Sequence, residues 1–194
     1  MYNVTLTELN ASKLINGNHH VEWTSDKETD HSYLSGYYER EFENRGRDIN
    51  LLEIGVAQGD SLKLWSEWFT EGKITGIEVN NNLPRVLSNY SKINLIIADG
   101  FSDKTINRFE DNSFDYIIDD GPHTLASMVI SAQKWIDKVK PGGKLIIEDI
   151  QEFLWVEIIE SYTDESKIES YKVFDLRRYK DRYDDNIIIE IERK

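Results

Sequence analysis

Short apolar segments alternate with amphipathic segments along most of the chain after residue 48. The apolar segments are rich in Ile, Leu and Val, and they predict buried strands at residues 49–56, 73–79, 93–98, 114–118 and 144–147. The intervening segments predict helices at residues 61–69, 83–90, 103–109 and 125–139, the last ended by Pro141-Gly142-Gly143. This alternation predicts a parallel sheet with right-handed crossovers and with helices on both faces.

The two ends of the chain depart from that alternation. Residues 1–48 are polar and aromatic, and they predict an N-terminal extension with one helix at about residues 32–45 that acts as a lid. Residues 171–176 and 187–192 predict an antiparallel hairpin at the sheet edge. The predicted fold is therefore a single α/β domain over residues 1–194, with a Rossmann-like core at residues 49–194 and a mostly parallel, seven-stranded sheet.

The composition limits where the protein works. No apolar run reaches the roughly 18–20 residues of a membrane span, and residues 1–10 lack the basic flank and apolar stretch of a signal peptide. Cysteine is absent, which excludes disulfides and thiolate metal sites. We therefore expect a cytoplasmic protein with no membrane partner.

The formal net charge of −13 restricts the partners. A surface of this charge repels a phosphate backbone, so we expect no nucleic-acid partner. The basic residues Arg177, Arg178, Lys180 and Arg182 alternate with aspartates, which indicates a solvated segment of mixed charge. A small molecule or a glycan is the expected substrate, and the sequence leaves open whether the chain forms a homo-oligomer.

A glycine-containing turn follows the first predicted strand. Gly55 and Gly59 lie where the strand ends and a helix begins, and Asp60 and Ser61 follow them. Glycine permits a tight turn and the close approach of a ligand, and ligands of open α/β sheets bind beyond the carboxyl ends of the strands. Glu53 is a candidate acceptor for a ligand ammonium or hydroxyl group. Taken alone, the turn is also explained by a tight strand-to-helix connection that binds no ligand.

Acidic residues at the next two strand ends favour an adenosyl cofactor. Glu78 ends the second strand, where a carboxylate would bind ribose hydroxyls, and Asp99-Gly100 follows the third, where a carboxylate would meet the adenine amino group. A nicotinamide dinucleotide is the alternative ligand, but it favours Gly-x-Gly-x-x-Gly, and here Val56 and Ala57 follow the first glycine. The pattern therefore favours S-adenosylmethionine.

A second group of polar residues follows the fourth and fifth strands. Asp119, Asp120 and His123 come after the fourth strand, and Glu148 and Asp149 come after the fifth. Because neighbouring strands lie about 4.8 Å apart, these side chains are expected to converge. We assign Asp119 to the cofactor site, and the carboxylate oxygens at these two strand ends suit a Mg²⁺ ion. His123 is the candidate base for a substrate hydroxyl.

Structural roles remain open for the same residues. The segment Asp119 to Pro122 also has turn-forming composition, Glu148 and Asp149 could cap a following helix, and His123 could be purely structural. His19 and His20 are interpreted as exposed loop residues. His31 precedes the N-terminal helix, where it belongs either to the lid or to a helix cap.

Taken together, the motifs resemble those of the macrocin and mycinamicin sugar O-methyltransferases and the related cephalosporin-hydroxylase-like family. The motifs are Asp26-Lys27 with Asp30-His31-Ser32-Tyr33-Leu34, Leu52 to Leu62 with Trp65, Ile74 to Glu78, Ile118 to His123, Lys140 to Gly143, and Ile147 to Gln151. The resemblance implies a class I methyltransferase fold and Mg²⁺-dependent methylation of a deoxysugar hydroxyl. It also implies Asp120 and Asp149 as metal ligands, His123 as the base and an N-terminal glutamate as third ligand, for which Glu39 is the candidate.

Two other functions compete with this one. The antibiotic enzymes carry longer N-terminal regions, whereas about 48 residues precede the first predicted strand here, so the acceptor need not be a macrolide. A non-catalytic, adenosylmethionine-binding scaffold protein is one alternative, and a NAD-binding oxidoreductase is another. Our expectation is an adenosylmethionine-dependent, Mg²⁺-assisted O-methyltransferase that acts on a hydroxyl of a sugar-like or small-molecule acceptor.

Overall fold

Seven strands form one sheet in the computed structural model, which describes residues 4–12, 25–81, 87, 90–178 and 185–194. The strands are β1 (Asn50–Ile54), β2 (Lys73–Glu78), β3 (Ile93–Ile97), β4 (Phe114–Asp119), β5 (Val139–Ile147), β6 (Ile168–Asp175) and β7 (Ile187–Arg193). Their order is β3-β2-β1-β4-β5-β7-β6. The first five strands pair in parallel, and β7 is antiparallel to both β5 and β6. The predicted sheet, with its antiparallel C-terminal hairpin, is confirmed.

The fifth strand begins earlier than the sequence predicts. It starts at Val139 rather than at Lys144, because the pairing with β4 is interrupted and resumes: Val139 lies opposite Phe114, and Lys144 lies opposite Tyr116. The intervening Pro141-Gly142-Gly143 forms a bulge, in which Gly142 has φ +76°. The predicted helix at residues 125–139 is therefore wrong at its end, because the bulge belongs to the strand and not to a helix stop.

Helices connect the strands and cover the sheet. They are α1 (Leu6–Ser12), α2 (Asp26–Thr29), α3 (Glu39–Phe42), α4 (Asp60–Trp68), α5 (Asp103–Ile106), α6 (Leu125–Lys134) and α7 (Phe153–Ser161), with a π-helix at Leu34–Tyr38 and 3₁₀ turns at Trp135–Lys138 and Glu165–Lys167. The predicted helix at residues 103–109 is shorter than expected. The predicted helix at residues 83–90 lies outside the described residues, apart from Leu87 and Tyr90.

Alternate residues of the central strands face opposite sides of the sheet, as the pleat requires. Leu51 of β1 belongs to the buried cluster that includes Trp65 of α4. Its neighbour Leu52 belongs to the second cluster, which includes Met128 of α6. In β4, likewise, Ile118 belongs to the first cluster and Ile117 to the second. Both faces are therefore buried, which explains why these strands are almost continuously apolar.

Residues 25–42 pack against the core through buried aromatic side chains, and the role of this segment as a lid stays a prediction. The predicted single helix is split into α2, the π-helix and α3, and Tyr33, Tyr37, Tyr38 and Phe42 are buried. Tyr37 and Tyr38 are consecutive residues at the end of the π-helix, and both are buried.

Tyr37 enters a buried network of charged groups. Its hydroxyl donates to Glu190 at 2.6 Å, and the ammonium groups of Lys144 and Lys172 each lie 3.0 Å from the same carboxylate. Burial alone would raise the pKa of Glu190, but these three donors outweigh it and lower that pKa. The network fixes the π-helix of the N-terminal segment to β7.

Three expectations concern surface or location. Among the described residues, no helix combines the length and the apolar composition that crossing a membrane requires. Arg177 pairs with Asp175 at 2.8 Å, as expected for a mixed-charge surface, whereas Lys180 and Arg182 lie outside the described residues, as do His19 and His20. The cytoplasmic location stays a prediction.

We expect Tyr37→Phe to lower the free energy of unfolding by about 1–3 kcal/mol, because a buried carboxylate loses a hydrogen-bond donor. Urea denaturation at pH 7 measures the change. The control is Tyr162→Phe, since Tyr162 is 54% exposed, and it should stay within about 0.5 kcal/mol of the parent. Equal stability of the two variants would show that the Tyr37 hydroxyl makes no net contribution.

Candidate functional site

A cavity of about 680 Å³ opens beyond the carboxyl ends of β1 to β5. Its wall includes residues 55–58 of the glycine loop, which we define as residues 55–59, and residues that follow the neighbouring strands. Gly59, which the sequence assigns to the cofactor site, does not line the cavity. Of the predicted site residues, the cavity wall contains Gly55, Asp60, Ser61, Glu78, Asp99, Gly100, Asp120, His123 and Asp149. The structure therefore brings nine of the predicted site residues together in one cavity, from segments at or after the ends of five different strands.

Two glycines of the loop are required by its backbone. Gly55 has φ +81°, and a Cβ atom there would lie 2.0 Å from the carbonyl oxygen of Asp120. Gly59 also has φ +81° and directly precedes α4. The amide of Asp120 donates to the carbonyl of Ile54 at 2.9 Å. The loop after β1 and the loop after β4 are thus in direct backbone contact, which places the cavity floor beside Asp120.

Glu78 organises the cavity wall through the backbone. Its Oε2 accepts from the amides of Val56 and Ala57, both at 3.1 Å, and its Oε1 accepts from the amide of Val79 at 2.8 Å. Asp99 accepts from the amide of Phe101 at 2.9 Å and otherwise faces the cavity. Both carboxylates lie where a ligand with several hydroxyl and amino groups would contact them.

Glu53 does not reach the cavity. It has no exposed surface, and it accepts from Ser61 Oγ at 2.8 Å and from Trp65 Nε1 at 3.1 Å. Burial raises its pKa, although the nearby Lys27 opposes this. The prediction that Glu53 contacts the ligand is wrong in this arrangement, because its carboxylate is used within the protein to support Ser61.

Asp119 is also turned inward. Its Oδ2 accepts from Ser131 Oγ at 2.6 Å and its Oδ1 from the amide of Gly121 at 3.1 Å. Burial raises the pKa of Asp119 to about 6. Its assignment to the cofactor is therefore corrected, since the side chain shapes the loop that carries Asp120 and does not line the cavity.

Asp120, His123 and Asp149 form what we call the carboxylate–histidine cluster. One ligand atom of each lies within 4.8 Å of the others. His123 Nδ1 is 3.0 Å from Asp149 Oδ2, and His123 Nε2 is 3.5 Å from Asp120 Oδ1. His123 and Asp149 have φ +52° and +57°, a left-handed conformation that is uncommon for residues other than glycine and is often found at functional sites.

The remaining oxygen of each carboxylate is held by the N-terminal segment. Lys27 Nζ donates to Asp120 Oδ2 at 2.7 Å, and the Tyr33 hydroxyl donates to Asp149 Oδ1 at 2.5 Å. Asp120 Oδ1 and Asp149 Oδ2 consequently face His123. Lys27 and Tyr33 thus hold one oxygen of each carboxylate. The other two, Asp120 Oδ1 and Asp149 Oδ2, which we call the outer oxygens, are directed towards the same space.

Lys27 is the site residue that the sequence prediction missed. Its ammonium group, which is almost fully buried, contacts Glu53 at 3.2 Å, Asp120 at 2.7 Å and Glu148. Burial disfavours the charged form, but the carboxylates outweigh this effect and raise the pKa of Lys27 well above its usual value. Tyr38 donates to the other oxygen of Glu148 at 2.6 Å. The sequence offered one signal for this role: Lys27 stands between Asp26 and Glu28, in a segment rich in aromatic residues.

The two cavity histidines differ in their surroundings. Hydrogen bonds with Asp120 and Asp149 raise the pKa of His123 to about 10, although burial opposes the shift. His31 also lines the cavity. Its ring stacks on Tyr33 at 4.9 Å between centroids, and its Nδ1 lies 2.5 Å from Asn186 Oδ1. The second histidine is therefore oriented by residues from both ends of the described chain.

Glu39 is not part of the cluster. Its Oε1 accepts from the backbone amide of Thr7 at 2.8 Å, so it connects α3 with α1. The cluster of potential metal ligands found in the described residues contains His123 and not Glu39. The prediction of Glu39 as third metal ligand is wrong in this structure, because the start of α3 turns its side chain towards α1.

Curated relatives support a methyltransferase family. The 8-demethyl-8-alpha-L-rhamnosyl tetracenomycin-C 2'-O-methyltransferase of Streptomyces olivaceus is 26% identical over 152 residues, which are 74% of this chain and 39% of that protein. The mycinamicin VI 2''-O-methyltransferase of Micromonospora griseorubida is 28% identical over 137 residues, which are 63% of this chain and 33% of that protein. The chain therefore spans well under half the length of these two relatives.

Solved structures share the fold. A methyltransferase from the mycinamycin biosynthetic pathway, in complex with Mg and SAH, has a TM-score of 0.73 at 21% identity, covering 99% of this chain and 55% of that chain. A fibrillarin/NOP5P complex has a TM-score of 0.62 at 18% identity, covering 77% of this chain and 75% of that chain. These similarities concern the arrangement of strands and helices.

The family itself follows from a third comparison. A family model described as a methyltransferase domain matches residues 52–150. This range contains the glycine loop and the whole carboxylate–histidine cluster. The chain belongs to the methyltransferase-domain family, as its motifs predicted.

Proposed function

We propose that this protein is an S-adenosylmethionine-dependent O-methyltransferase, assisted by Mg²⁺, that methylates a hydroxyl of a sugar-like or other small-molecule acceptor. The observation that carries the proposal is the direct contact between two parts of the site. The glycine loop forms the cavity wall, and Gly55 packs against the backbone of Asp120 in the carboxylate–histidine cluster. A cofactor in the cavity would therefore lie next to groups able to bind an acceptor hydroxyl.

The cavity fits an adenosyl cofactor. Its volume of about 680 Å³ lies within the usual range for small-molecule sites. Glu78 and Asp99 offer carboxylates where ribose hydroxyls and an adenine amino group would meet them. Gly55 lines this cavity and has no side chain to occupy it.

The cluster fits a divalent cation. Asp120 and Asp149 each direct an outer oxygen towards His123, whose two ring nitrogens face those oxygens. In this arrangement the imidazolium of His123 supplies the positive charge between the two carboxylates. Oxygen ligands of this kind suit Mg²⁺, which binds through one or two carboxylates and keeps other positions for water or substrate. The two aspartates would hold the ion, with His123 beside it.

Some residues of the chain would bind the cofactor and the acceptor, and His123 would transfer the proton. Bound adenosylmethionine supplies an activated methyl group, and a bound Mg²⁺ lowers the pKa of an acceptor hydroxyl. The glycine loop, Glu78 and Asp99 hold the cofactor. Asp120 and Asp149 orient the acceptor side of the site, and His123 accepts the hydroxyl proton once it has lost its own. Alignment of the two reactants is the main contribution of the protein.

The acceptor class follows from charge and from the relatives. The two curated relatives are named for the methylation of a rhamnosyl tetracenomycin and of a mycinamicin. The net charge of −13 disfavours a nucleic-acid acceptor. A neutral, hydroxyl-rich small molecule or glycan meets both conditions.

S-adenosylhomocysteine should raise the melting temperature of the parent protein, whereas NAD should leave it unchanged. Gly55→Ala should abolish the shift, because the new Cβ atom would lie 2.0 Å from the Asp120 carbonyl. Thermal unfolding with each ligand measures the effect. Stabilisation by NAD alone would overturn the cofactor assignment in favour of an oxidoreductase.

Gly142→Ala is the matched control for this experiment. Gly142 has φ +76°, nearly the same as Gly55, but a Cβ atom there would meet no atom within 4 Å. Both substitutions carry the strain of a left-handed backbone, yet only Gly55→Ala places a Cβ atom against the backbone of Asp120. Gly142→Ala should therefore retain the full shift with S-adenosylhomocysteine.

Calorimetry with Mg²⁺ tests the cation site. We expect Asp120→Ala combined with Asp149→Ala to abolish Mg²⁺ binding, because both outer oxygens are removed. The control is Asp103→Ala, whose side chain is 72% exposed and pairs with Lys134. Unchanged Mg²⁺ binding in the double variant would show that the ion, if bound at all, is held elsewhere.

The charge on His123 predicts how the metal-free protein responds to pH. The pKa of His123 is raised from 6.5 to about 10 in the folded protein. Its contribution to stability is therefore fully present below pH 6.5 and is lost as the pH rises through about 10. Melting temperatures in EDTA should show the advantage of the parent over His123→Gln shrinking across that range. A constant advantage would mean that His123 is not protonated between the carboxylates.

A further inference from the structure

Lys27 lies behind the cavity wall and not in it. The wall contains its neighbour Asp26, but Lys27 itself is only 1% exposed. Its ammonium group contacts carboxylates from three adjacent strand ends, namely Glu53 in β1, Asp120 after β4 and Glu148 after β5. It donates hydrogen bonds to Asp120 and Glu148, and Glu53 Oε1 lies at ion-pair distance, 3.2 Å away.

The contact with Asp120 has a defined direction. Lys27 Nζ donates to Oδ2 at 2.7 Å, while Oδ1 lies 3.5 Å from His123 Nε2. The terminal torsion of an aspartate is broad and roughly two-fold. Asp120 is partly exposed and without Lys27 could rotate, because none of its other described side-chain contacts fixes Oδ2.

We propose that Lys27 is a positioning residue for the divalent-cation site and acts through Asp120. This inference rests on the proposed function, since it assumes that Asp120 and Asp149 bind the ion. Lys27 holds Oδ2 so that Oδ1 is presented to the ion together with Asp149 Oδ2. Its role is that of an outer partner that orients a metal ligand.

Charge and position predict opposite effects when Lys27 is removed. If Lys27 acted only through its charge, its loss would make the site more negative and would tighten the binding of a divalent cation. If it positions Asp120, its loss frees the carboxylate and weakens binding. The sign of the change in metal affinity therefore separates the two roles.

The experiment is the titration of Lys27→Met with Mn²⁺, followed by electron paramagnetic resonance. Methionine keeps most of the apolar stem and removes the ammonium group. We expect Mn²⁺ binding about 10- to 100-fold weaker than in the parent, the range typical of lost outer partners. S-adenosylhomocysteine affinity, measured by calorimetry, should remain that of the parent, because Lys27 does not line the cavity.

Lys144→Met controls for the loss of a buried lysine. Lys144 is 6% exposed, and its ammonium group contacts Glu41 at 2.6 Å and Glu190 at 3.0 Å, away from the cluster. Its substitution removes a comparable buried ion pair, but it should leave Mn²⁺ affinity unchanged. A merely structural effect of Lys27 would appear equally in both variants.

A second variant keeps the experiment informative if Lys27→Met alone does not fold. Lys27→Met combined with Glu53→Gln removes one buried negative charge as well, while Glu53 is not a member of the cluster. The double variant should also bind Mn²⁺ more weakly. Parent-like or tighter Mn²⁺ binding in a folded Lys27 variant would overturn the positioning role of Lys27 and leave the proposed cation site intact. Absence of Mn²⁺ binding in the parent would instead overturn the proposed cation site and this inference with it.

Discussion

One buried ammonium group connects the carboxyl ends of three neighbouring strands. Lys27 reaches Asp120 and Glu148, which are 93 and 121 residues further along the chain. Removing a partner from a buried ion pair leaves a charge uncompensated, which costs about 3–5 kcal/mol in typical proteins. The acidic strand ends can therefore lie close together only when residues 25–42 are packed against them. The N-terminal segment is part of the site because of this charge requirement.

The glycine loop adds a steric constraint to the electrostatic one. Gly55 has no space for a side chain because the Asp120 carbonyl occupies it. The same contact brings the cavity that would hold a cofactor against the loop that would hold an ion. Backbone contact consequently fixes the distance between the two loops, whereas the direction of the Asp120 carboxylate depends on its contact with Lys27.

Sequence patterns predicted the sheet and most of the cavity, because strand ends in a parallel sheet share one edge and acidic residues mark them. They failed where contacts depend on side-chain direction. Glu53 and Asp119 occupy the predicted strand ends, yet both point inward to Ser61 and Ser131. Glu39 was misplaced because a split helix turned it towards Thr7. The contacts of Lys27 bridge long separations, which no local pattern reveals.

The position of β7 between β5 and β6 has a consequence for biosynthesis. Asn186, just before β7, contacts His31 across 155 positions of the chain, and the Asp185 carbonyl accepts from Tyr33 at 3.4 Å. On the ribosome, these contacts must wait until residues 185–193 have left the exit tunnel. Until then the emerging polypeptide has an unpaired β5 edge, which is open to association with other chains. A chaperone that shields this edge would benefit the nascent protein more than the finished one.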